Sequence, residues 1–472
     1  MIDIANLTIK KAHEALVRGD FTVRDLAKAY LEEIKKKDAD IHAYLEVYED
    51  VMKQADEAQK KVSAENALAG IPIAVKDNIM IEGRRAQSAS KMLEGYVAPY
   101  DATAIKKLKE AGVVFIGRAN MDEFAMGGST ENSAYGATKN PHDLARVAGG
   151  SSGGSAAAVG GGLALAALGS DTGGSVRQPA SYCGVVGLKP TYGSISRHGL
   201  MAMGSSLDII GPLTKTVADA EILFDAMKGK DRYDSTSIDP MPEKPATKRL
   251  VIGIPRHFLK GDGIDPEVMR AFEASVERFR SMGYEIRDVE LPNIEYSLAV
   301  YYVLMPAEVS TNLARFDGVK YGFHKDGKDL LEDYLLSRGE GFGREARRRI
   351  MLGAYVLSSG YYDAYYNKAS AVRELLKRDF ADAFKSVDAI LIPTAPAPAF
   401  KIGEKVSDPV AMYLEDIFTV TANLVGVPAI SIPAGVKNEG SKSLPIGIQL
   451  LADMRREDVL FALGKKFLGE VE

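Results

Sequence analysis

Two serines set in glycine-rich islands are the residues of this chain best suited to nucleophilic chemistry. The run from Gly149 to Ser175 is dominated by glycine, serine and alanine, with one island around Ser151 and another ending at Ser175. Glycine is unfavourable inside regular elements, so this composition predicts a backbone that turns tightly and brings its N–H groups close to a ligand. The carbonyl group of a substrate is a ligand that such backbone N–H groups could bind.

The second island predicts a nucleophile beside its oxyanion donors. Thr172, Gly173 and Gly174 immediately precede Ser175. Consecutive amides next to a hydroxyl are what acyl transfer needs, because the amides can stabilise the oxyanion while the hydroxyl attacks. We therefore predict Ser175 as the nucleophile and Thr172, Gly173 and Gly174 as the oxyanion donors.

A serine hydroxyl needs a base within hydrogen-bond reach, and lysine is the better candidate here. The six histidines are scattered, and none lies in a motif that would direct it at either island. Lys76 follows the apolar, strand-like run 71–75. Burial at the end of such a strand favours the neutral amine, so Lys76 is the predicted base.

Two other interpretations of the first island are less favourable. Serine–glycine runs are commonly flexible linkers, but 155–168 reads as a small-residue helix that continues directly from this island. Residues 149–153 also satisfy the G-x-S-x-G elbow of α/β-hydrolases. That elbow follows a strand, and the segment 140–148 shows no apolar strand pattern, so we disfavour it.

The composition limits the class of protein and the partners it can bind directly. The 472 residues carry a net charge of −5, with 46% hydrophobic and 26% charged residues, which is typical of a globular protein large enough for a sizeable core. A negative net charge does not indicate a protein that binds nucleic acid by itself, so we expect any RNA to be held mainly by a partner. The single cysteine, Cys183, excludes an intrachain disulfide and is expected to be a small core residue.

No signal for a membrane is seen in the sequence. The first residues lack a basic segment followed by an apolar stretch, and the longest run of low polarity, 156–169, is shorter than a bilayer-spanning helix needs. We therefore expect a cytoplasmic protein.

Alternating helix and strand patterns predict a single α/β domain over residues 1–472. Residues 1–65 read as an N-terminal layer of amphipathic helices, and 229–248 as a polar surface excursion. Strands are expected at 71–75, 113–117, 250–254, 285–291, 387–392, 429–433 and 446–451, with helices at 9–18, 101–112 and from Asp265 to Gly283.

The order Lys76, Ser151, Ser175 and the stretch GGSSGGSAAAVGGGLALAALGSDTGGSVRQPASYCGVVGLKPTYG resemble the amidase signature family. This resemblance implies an α/β/α fold around a large mixed sheet, with residues 149–190 as the signature core. It also implies a Ser–cis-Ser–Lys triad in which Ser175 is the nucleophile, Ser151 the bridging serine after a cis peptide, and Lys76 the base. Asp171 and Arg177 are expected to brace the loop rather than to take part in bond making.

Three further stretches, 119–132, 312–322 and 348–353, resemble the glutaminase subunits of tRNA-dependent amidotransferases within that family. This branch implies that glutamine is deamidated and that ammonia passes to the B subunit of the amidotransferase, which binds tRNA and uses ATP with Mg²⁺ to activate misacylated glutamate or aspartate. A small C subunit completes the heterotrimer. No metal or organic cofactor is implied for this chain.

Glutamine carries an α-carboxylate and an α-ammonium, so its pocket should contain an arginine and a carboxylate. By motif position Arg349 resembles the carboxylate ligand, Asp416 the ammonium ligand and Tyr302 a further contact, while Gly127, Gly128 and Ser129 are expected to line the pocket. Arg348 and Tyr301 stay open as alternatives to their neighbours.

Two alternatives to the glutaminase hypothesis are kept. One is a stand-alone amidase that acts on another small amide with the same triad, and the other is a catalytically idle scaffold for the B subunit. The sequence leaves open whether the acceptor is Glu-tRNA(Gln), Asp-tRNA(Asn) or both.

Overall fold

The computed structural model describes residues 2–239, 250–260 and 263–470. The fold predicted from the sequence, an α/β fold around a large mixed sheet, is confirmed over these residues. The strands are β1 (Tyr44–Val47), β2 (Pro72–Lys76), β3 (Val114–Ala119), β4 (Lys139–Asn140), β5 (Asp143–Val147), β6 (Ala166–Asp171), β7 (Val186–Lys189), β8 (Ile209–Thr214), β9 (Val251–Ile254), β10 (Glu285–Asp288), β11 (Ala389–Pro393), β12 (Ala429–Glu439) and β13 (Lys442–Ala452).

Helices surround this sheet along the whole chain. The α-helices are α1 (Ile9–Arg18), α2 (Val23–Ile41), α3 (Val51–Gln59), α4 (Thr103–Glu110), α5 (Gly153–Gly160), α6 (Arg177–Cys183), α7 (Val217–Met227), α8 (Pro266–Ser281), α9 (Ser297–Asn312), α10 (Leu330–Gly341), α11 (Arg344–Val356), α12 (Lys368–Ala383), α13 (Pro409–Tyr413), α14 (Val420–Val425) and α15 (Glu457–Leu468). A short π-helix covers Tyr362–Asn367.

Eleven of the strands form one sheet in the order β1-β3-β2-β6-β8-β7-β12-β13-β11-β9-β10. Both ends of the sheet contain parallel pairs, β3-β2-β6 on one side and β11-β9-β10 on the other, and the strands between them pair antiparallel. The central strands are buried along their whole length, which is typical of a sheet covered on both faces.

The parallel pair β2 and β6 positions the predicted base. Val75 on β2 is aligned with Leu168 on β6. Because parallel strands end at the same edge of a sheet, the side chain of Lys76 at the end of β2 comes close to Ser170 near the end of β6. The glycine-rich turn before Ser175 follows β6 directly.

The N-terminal segment is mainly helical, as predicted. Thr22 caps α2 in a capping box with Asp25, and α1 spans the predicted residues. The segment is interrupted by β1, which pairs antiparallel with β3 at the edge of the sheet.

One prediction around the first glycine island is wrong. The helix predicted over 155–168 ends at Gly160, and the last residues of the predicted helix, from Ala166, belong to β6, a central strand. Short apolar runs look alike in buried helices and buried strands, so the pattern could not separate them. The segment 140–148 does contain a strand, β5, but its residues are largely polar and partly exposed, and it pairs only with β4 outside the main sheet.

The predicted β-α-β unit in the second half is present as β9, α8 and β10, with Asp265 as the N-cap and β10 ending earlier than expected. Residues 240–248 of the predicted surface excursion lie outside the described residues. Among the residues with described positions, none belongs to a helix that is both long enough and apolar enough to span a bilayer.

Candidate active site

Lys76 lies at the centre of a closed group of serine hydroxyls. Its side chain is fully buried, and its Nζ is 2.7 Å from Ser151 Oγ, 2.9 Å from Ser152 Oγ and 2.9 Å from Ser170 Oγ. The Ser170 carbonyl oxygen lies at 3.3 Å. Every polar direction around this amine is therefore filled by a protein oxygen.

This environment favours a neutral amine near physiological pH. Burial lowers the pKa of Lys76 to about 7, although the carboxylates of Asp122, Asp171 and Asp208 act in the opposite direction. Desolvation dominates because it penalises the ammonium form directly, whereas none of the three carboxylates touches Nζ. A lysine with such a pKa can act as a general base.

Ser151 and Ser175 lie next to each other in the fold. The peptide bond between Gly150 and Ser151 is cis, as the resemblance implied. The Ser152 N–H donates to the Ser175 carbonyl oxygen at 3.1 Å, which joins the two glycine islands directly. Ser175 is only half-buried, and its hydroxyl forms no hydrogen bond with the described part of the chain. It is accessible to a substrate.

Glycine is required at position 150 by close packing. A Cβ atom there would lie 2.1 Å from Asp122 Oδ2 and 2.6 Å from the Ser129 nitrogen. Asp122 in turn accepts hydrogen bonds from the backbone N–H groups of Ser129, Thr130 and Asn132. The Asp122 side chain therefore holds the loop 127–132 against the first serine island.

The loop 172–175 offers fewer free amides than the sequence suggested. The Gly174 N–H donates to Asp171 Oδ1 at 2.9 Å, so the prediction of Gly174 as a free oxyanion donor does not fit the geometry. Within the described residues, no acceptor is present for the N–H groups of Gly173 and Ser175, and Thr172 N–H is likewise without one. These three amides are the donors that the loop leaves for an oxyanion.

Asp171 and Arg177 brace this loop, as expected. The Arg177 guanidinium binds both oxygens of Asp171, at 3.0 and 3.1 Å, and continues to Gln449 and Asn423. Burial opposes ionisation of Asp171, but Arg177 prevails and holds the pKa of this carboxyl at about 2. The pair is therefore charged and fixed beneath the loop.

Gln178 connects the loop 127–129 to the cis peptide. Its Nε2 donates to the Gly128 carbonyl oxygen, and its Oε1 accepts from the Gly150 N–H, both at 2.9 Å. Gly127 and Ser129 line a cleft of about 60 Å³ together with Arg349 and Tyr413. The predicted glycine-lined wall thus lies between the serine island and Arg349.

The residues predicted to contact glutamine fall into one cluster. Tyr302 Oη donates to Asp416 Oδ2 at 2.7 Å, and the ring of Tyr302 stacks on Tyr413 at 4.0 Å. Burial raises the pKa of Asp416 to about 7, although Tyr302 and Arg349 lower it. The neighbouring Tyr301 is directed at the oxyanion loop, since its hydroxyl lies 2.4 Å from where a Cβ on Gly173 would be.

Arg349 is buried, whereas Arg348 is partly exposed. The guanidinium of Arg349 lies over the rings of Tyr302 and Tyr413, at 5.6 and 5.4 Å from their centroids. Its Nε donates to Glu345 Oε1 at 2.8 Å. Its Nη1 also donates to Met305 Sδ at 3.6 Å, a weak acceptor, so the Nη edge still offers N–H groups for a carboxylate.

The cluster is joined to the nucleophile loop by Thr419. Its hydroxyl donates to the Gly173 carbonyl oxygen at 2.7 Å and also lies 3.2 Å from the Asp416 carbonyl oxygen. The ammonium side of the predicted pocket and the oxyanion loop therefore share one rigid connection.

Several site residues were missed by the sequence analysis: Asn78, Asp122, Ser152, Ser170, Asp208, Gln178, Glu345 and Thr419. Most are isolated polar residues in buried segments, and only Ser152 had a signal, its place beside Ser151. None of the six histidines hydrogen-bonds with Ser151 or Ser175 in the described structure, which agrees with the preference for lysine.

This mixed fold, with its buried lysine among serine hydroxyls beneath a loop of backbone donors, defines a class of amide-cleaving serine enzymes. The family model described as "Amidase" matches residues 25–461, and the chain belongs to this family.

Relatives that share about half of their residues with this chain carry the name of one amidotransferase subunit. The chain is 50% identical over 470 residues to the A subunit of the Glutamyl-tRNA(Gln) amidotransferase of Desulfatibacillum aliphaticivorans. The alignment covers 98% of this chain and 96% of that protein. The chain is also 50% identical over 461 residues to the protein of the same name from Thermoanaerobacter pseudethanolicus, covering 95% and 93% of the two chains. The crystal structure of the corresponding A subunit from Thermotoga maritima is 44% identical, with a TM-score of 0.80 over 99% of this chain and 94% of that one.

Proposed function

We propose that this chain is the glutaminase subunit of a tRNA-dependent amidotransferase. It hydrolyses glutamine and supplies ammonia for converting misacylated Glu-tRNA(Gln), Asp-tRNA(Asn) or both into the amidated forms. The observation that carries the proposal is the buried Lys76 amine, 2.7 Å from Ser151 Oγ and beside the loop that ends at Ser175. The names of the full-length relatives support the choice of glutamine and tRNA.

The proposed reaction uses this chain's own residues throughout. Neutral Lys76 takes the Ser151 hydroxyl proton while Ser151 takes that of Ser175, whose Oγ forms a bond to the side-chain amide carbon of glutamine. The step requires Ser175 Oγ to approach Ser151 Oγ in the substrate complex, where catalytic hydrogen bonds commonly tighten. The N–H groups of Gly173 and Ser175, with Thr172, hold the oxyanion.

Collapse of this intermediate breaks the carbon–nitrogen bond. The proton held by Lys76 returns through Ser151 to the leaving nitrogen, ammonia departs, and a γ-glutamyl ester is left on Ser175. Water, activated by the same relay, then hydrolyses this ester to glutamate and restores the serine.

Substrate recognition follows from the aromatic cluster. Arg349 would bind the α-carboxylate through its Nη atoms, and Asp416, oriented by Tyr302, would bind the α-ammonium. The backbone of Gly127 and Gly128, with Ser129, would form the remaining wall. Glutamine's side-chain amide would then extend toward Ser175, because Thr419 ties the Asp416 turn to the nucleophile loop.

The partners are part of the proposal. The B subunit would bind tRNA, receive the ammonia and use ATP with Mg²⁺ to activate the misacylated carboxylate, and the C subunit would complete the cytoplasmic heterotrimer. This chain would need neither metal nor organic cofactor, because amide hydrolysis by serine is complete without one.

Ammonia release from glutamine tests the proposal. The full-length chain is assayed alone, with its co-expressed B and C subunits, and with misacylated tRNA, using Ser175→Ala as the blank. We expect turnover that rises with the partners and amidated tRNA as product. Partner-independent hydrolysis of other small amides would instead indicate a stand-alone amidase, and no amide hydrolysis in any mixture would leave only a scaffold role.

A further inference from the structure

The hydrogens around Lys76 Nζ decide which serine the amine can deprotonate. A neutral amine has two N–H groups and one lone pair, so it can accept a hydrogen bond from only one hydroxyl. Three hydroxyl oxygens surround it, those of Ser151, Ser152 and Ser170. Lys76 works as the base for Ser151 only if the other two hydroxyls accept from it.

Ser152 meets this condition by itself. Its hydroxyl donates to the Ser170 carbonyl oxygen at 3.1 Å. Its only hydrogen is therefore committed, and toward Lys76 it can act only as an acceptor.

Ser170 does not meet the condition without help from Asn78. Among the described residues, Ser170 Oγ has two polar neighbours, Lys76 Nζ and the side-chain amide nitrogen of Asn78, each at 2.9 Å. With that nitrogen facing it, the Ser170 hydrogen has only the Lys76 lone pair as an acceptor. Ser151 would then receive an N–H from Lys76 and could not transfer its proton.

A half-turn of the Asn78 amide reverses this polarity. The amide oxygen of Asn78 is buried and has no hydrogen-bond partner within the described structure. Turned toward Ser170, it would accept the Ser170 hydrogen, Ser170 would accept from Lys76, and the lone pair would face Ser151. The Asn78 backbone is held in place meanwhile, since its carbonyl oxygen accepts from the Met201 N–H at 2.9 Å.

We propose that Asn78 is a positioning residue whose amide oxygen takes the Ser170 hydrogen and so directs the Lys76 lone pair to Ser151. The proposal rests on the proposed function only in taking Lys76 as the base, and it does not depend on which amide is cleaved. Asp122, Asp171 and Asp208 are the charged groups that face Lys76, and none of them hydrogen-bonds with Nζ. They influence its protonation but not the direction of its lone pair.

The test measures activation of Ser175 without its amide substrate. A fluorophosphonate probe phosphonylates an activated serine, with fluoride as the leaving group and the hydroxyl proton passing to the base. Labelling rates of the full-length chain are measured from pH 6 to 10, with Ser175→Ala as the blank and thermal unfolding to verify that each variant is folded. Because labelling does not require glutamine, a failed glutaminase assay would leave this test intact.

Asn78→Leu should lower the plateau labelling rate about 10²-fold, the usual contribution of general base catalysis. Asn78→Asp should keep the plateau within about threefold, because a carboxylate also accepts from Ser170, while its negative charge moves the rise to higher pH. Should Asn78→Leu not fold, Asn78→Ala takes its place.

The decisive comparison is made in the Ser170→Ala background. That substitution removes the competing hydroxyl and leaves Lys76 donating to Ser152 and to the Ser170 backbone carbonyl, so a loss of only a few-fold is expected. Adding Asn78→Leu should then change the rate by less than about threefold, because the two residues act as one unit. A full additional loss in the double variant, or an unchanged plateau in Asn78→Leu alone, would overturn the proposal.

Discussion

The base centre around Lys76 and the aromatic cluster around Arg349 both bury a basic side chain, but they change its pKa in opposite directions. In the base centre a cation-forming group is surrounded by neutral hydroxyls, and burial lowers the pKa of Lys76 to about 7. In the cluster Arg349 is also buried but faces Glu345. Burial lowers the pKa of Arg349, and the coulombic attraction of Glu345, together with that of the surrounding tyrosines, raises it overall. A matched carboxylate therefore decides whether a buried cation is kept.

This difference fits the proposed chemistry of each region. A base must lose its proton easily, so it is placed among groups that do not reward the charge. An arginine that binds a substrate carboxylate must stay charged whether or not substrate is bound, so it is paired with an anionic side chain of the protein. The same low polarity thus produces a switchable amine in one region and a permanent cation in the other.

The largest expected effect comes from removing the switchable amine. Lys76→Met should reduce kcat for ammonia release by about 10³-fold or more, because Ser175 loses its base. The change should not lower the unfolding temperature, since an apolar chain replaces a group that is costly to bury. Steady-state kinetics with thermal unfolding would check both points.

Lys189 provides a matched control for that variant. It is also fully buried, with a pKa lowered by burial to about 7, but its Nζ donates to the Pro190 carbonyl oxygen and, among the described residues, to no serine hydroxyl. Lys189→Met should keep kcat within about threefold. Equal losses in both lysine variants would mean that burial of a lysine, rather than its place among the hydroxyls, matters.

The permanent cation should control binding instead of turnover. Arg349→Lys should raise KM for glutamine by about 10²-fold with little change in kcat, because an ammonium cannot reproduce the planar pairing with Glu345 and a substrate carboxylate. Arg348→Lys serves as the control, since Arg348 is partly exposed and binds the outer oxygen of Glu345. A purely kcat-based loss in Arg349→Lys would contradict the assigned role.

The junction between the two regions should be sensitive to a single methyl group. Gly173→Ala would place a Cβ 2.4 Å from Tyr301 Oη, so the buried Tyr301 ring or the oxyanion loop must shift. We expect the loop to be displaced and kcat to fall by about tenfold or more. Gly339→Ala is the control, because a Cβ inside α10 meets no atom within 4 Å. That variant should keep its kcat and gain about 0.5–1 kcal/mol in unfolding free energy.

The smallest expected effect is a change in the slope of log kcat/KM against pH. Lys76 must be neutral and Asp416 ionised for activity, and both have a pKa of about 7. Between pH 5.5 and 6.5, log kcat/KM for glutamine should therefore rise with a slope approaching two. In Asp416→Asn the slope should fall toward one while KM increases. An unchanged slope in that variant would exclude Asp416 as the second titrating group.

Local patterns predicted the elements that carry a strong period and failed where a run was short and apolar. The amphipathic α1 and α2 and the capped α8 lie where the sequence places them. The stretch that becomes β6 was read as helix, because an apolar run between two other buried strands has no polar face to reveal its period. The strand β5 was missed for the opposite reason, since its residues are polar.

The residues of the candidate site also divide into those that the sequence predicts and those that it does not. Glycine islands and a strand end, both visible in the chain, predict Ser175 and Lys76, and the family resemblance adds Ser151 as the bridging serine. Ser170, Asn78 and Asp208 were not predicted, because a lone polar residue in a buried segment looks the same whether it contacts the base or the solvent. Gly174 was assigned an open N–H that Asp171 in fact occupies.

The sequence by itself therefore determined which groups are candidates for the reaction, since residue type and glycine spacing limit which atoms can attack, accept protons or bind an anion. Only the tertiary structure decided the protonation and the partners of those groups. Both depend on desolvation and on hydrogen bonds between residues far apart in the chain, such as Lys76 with Ser170 or Thr419 with Gly173. These interactions exist only once the parallel strands and the helices have packed.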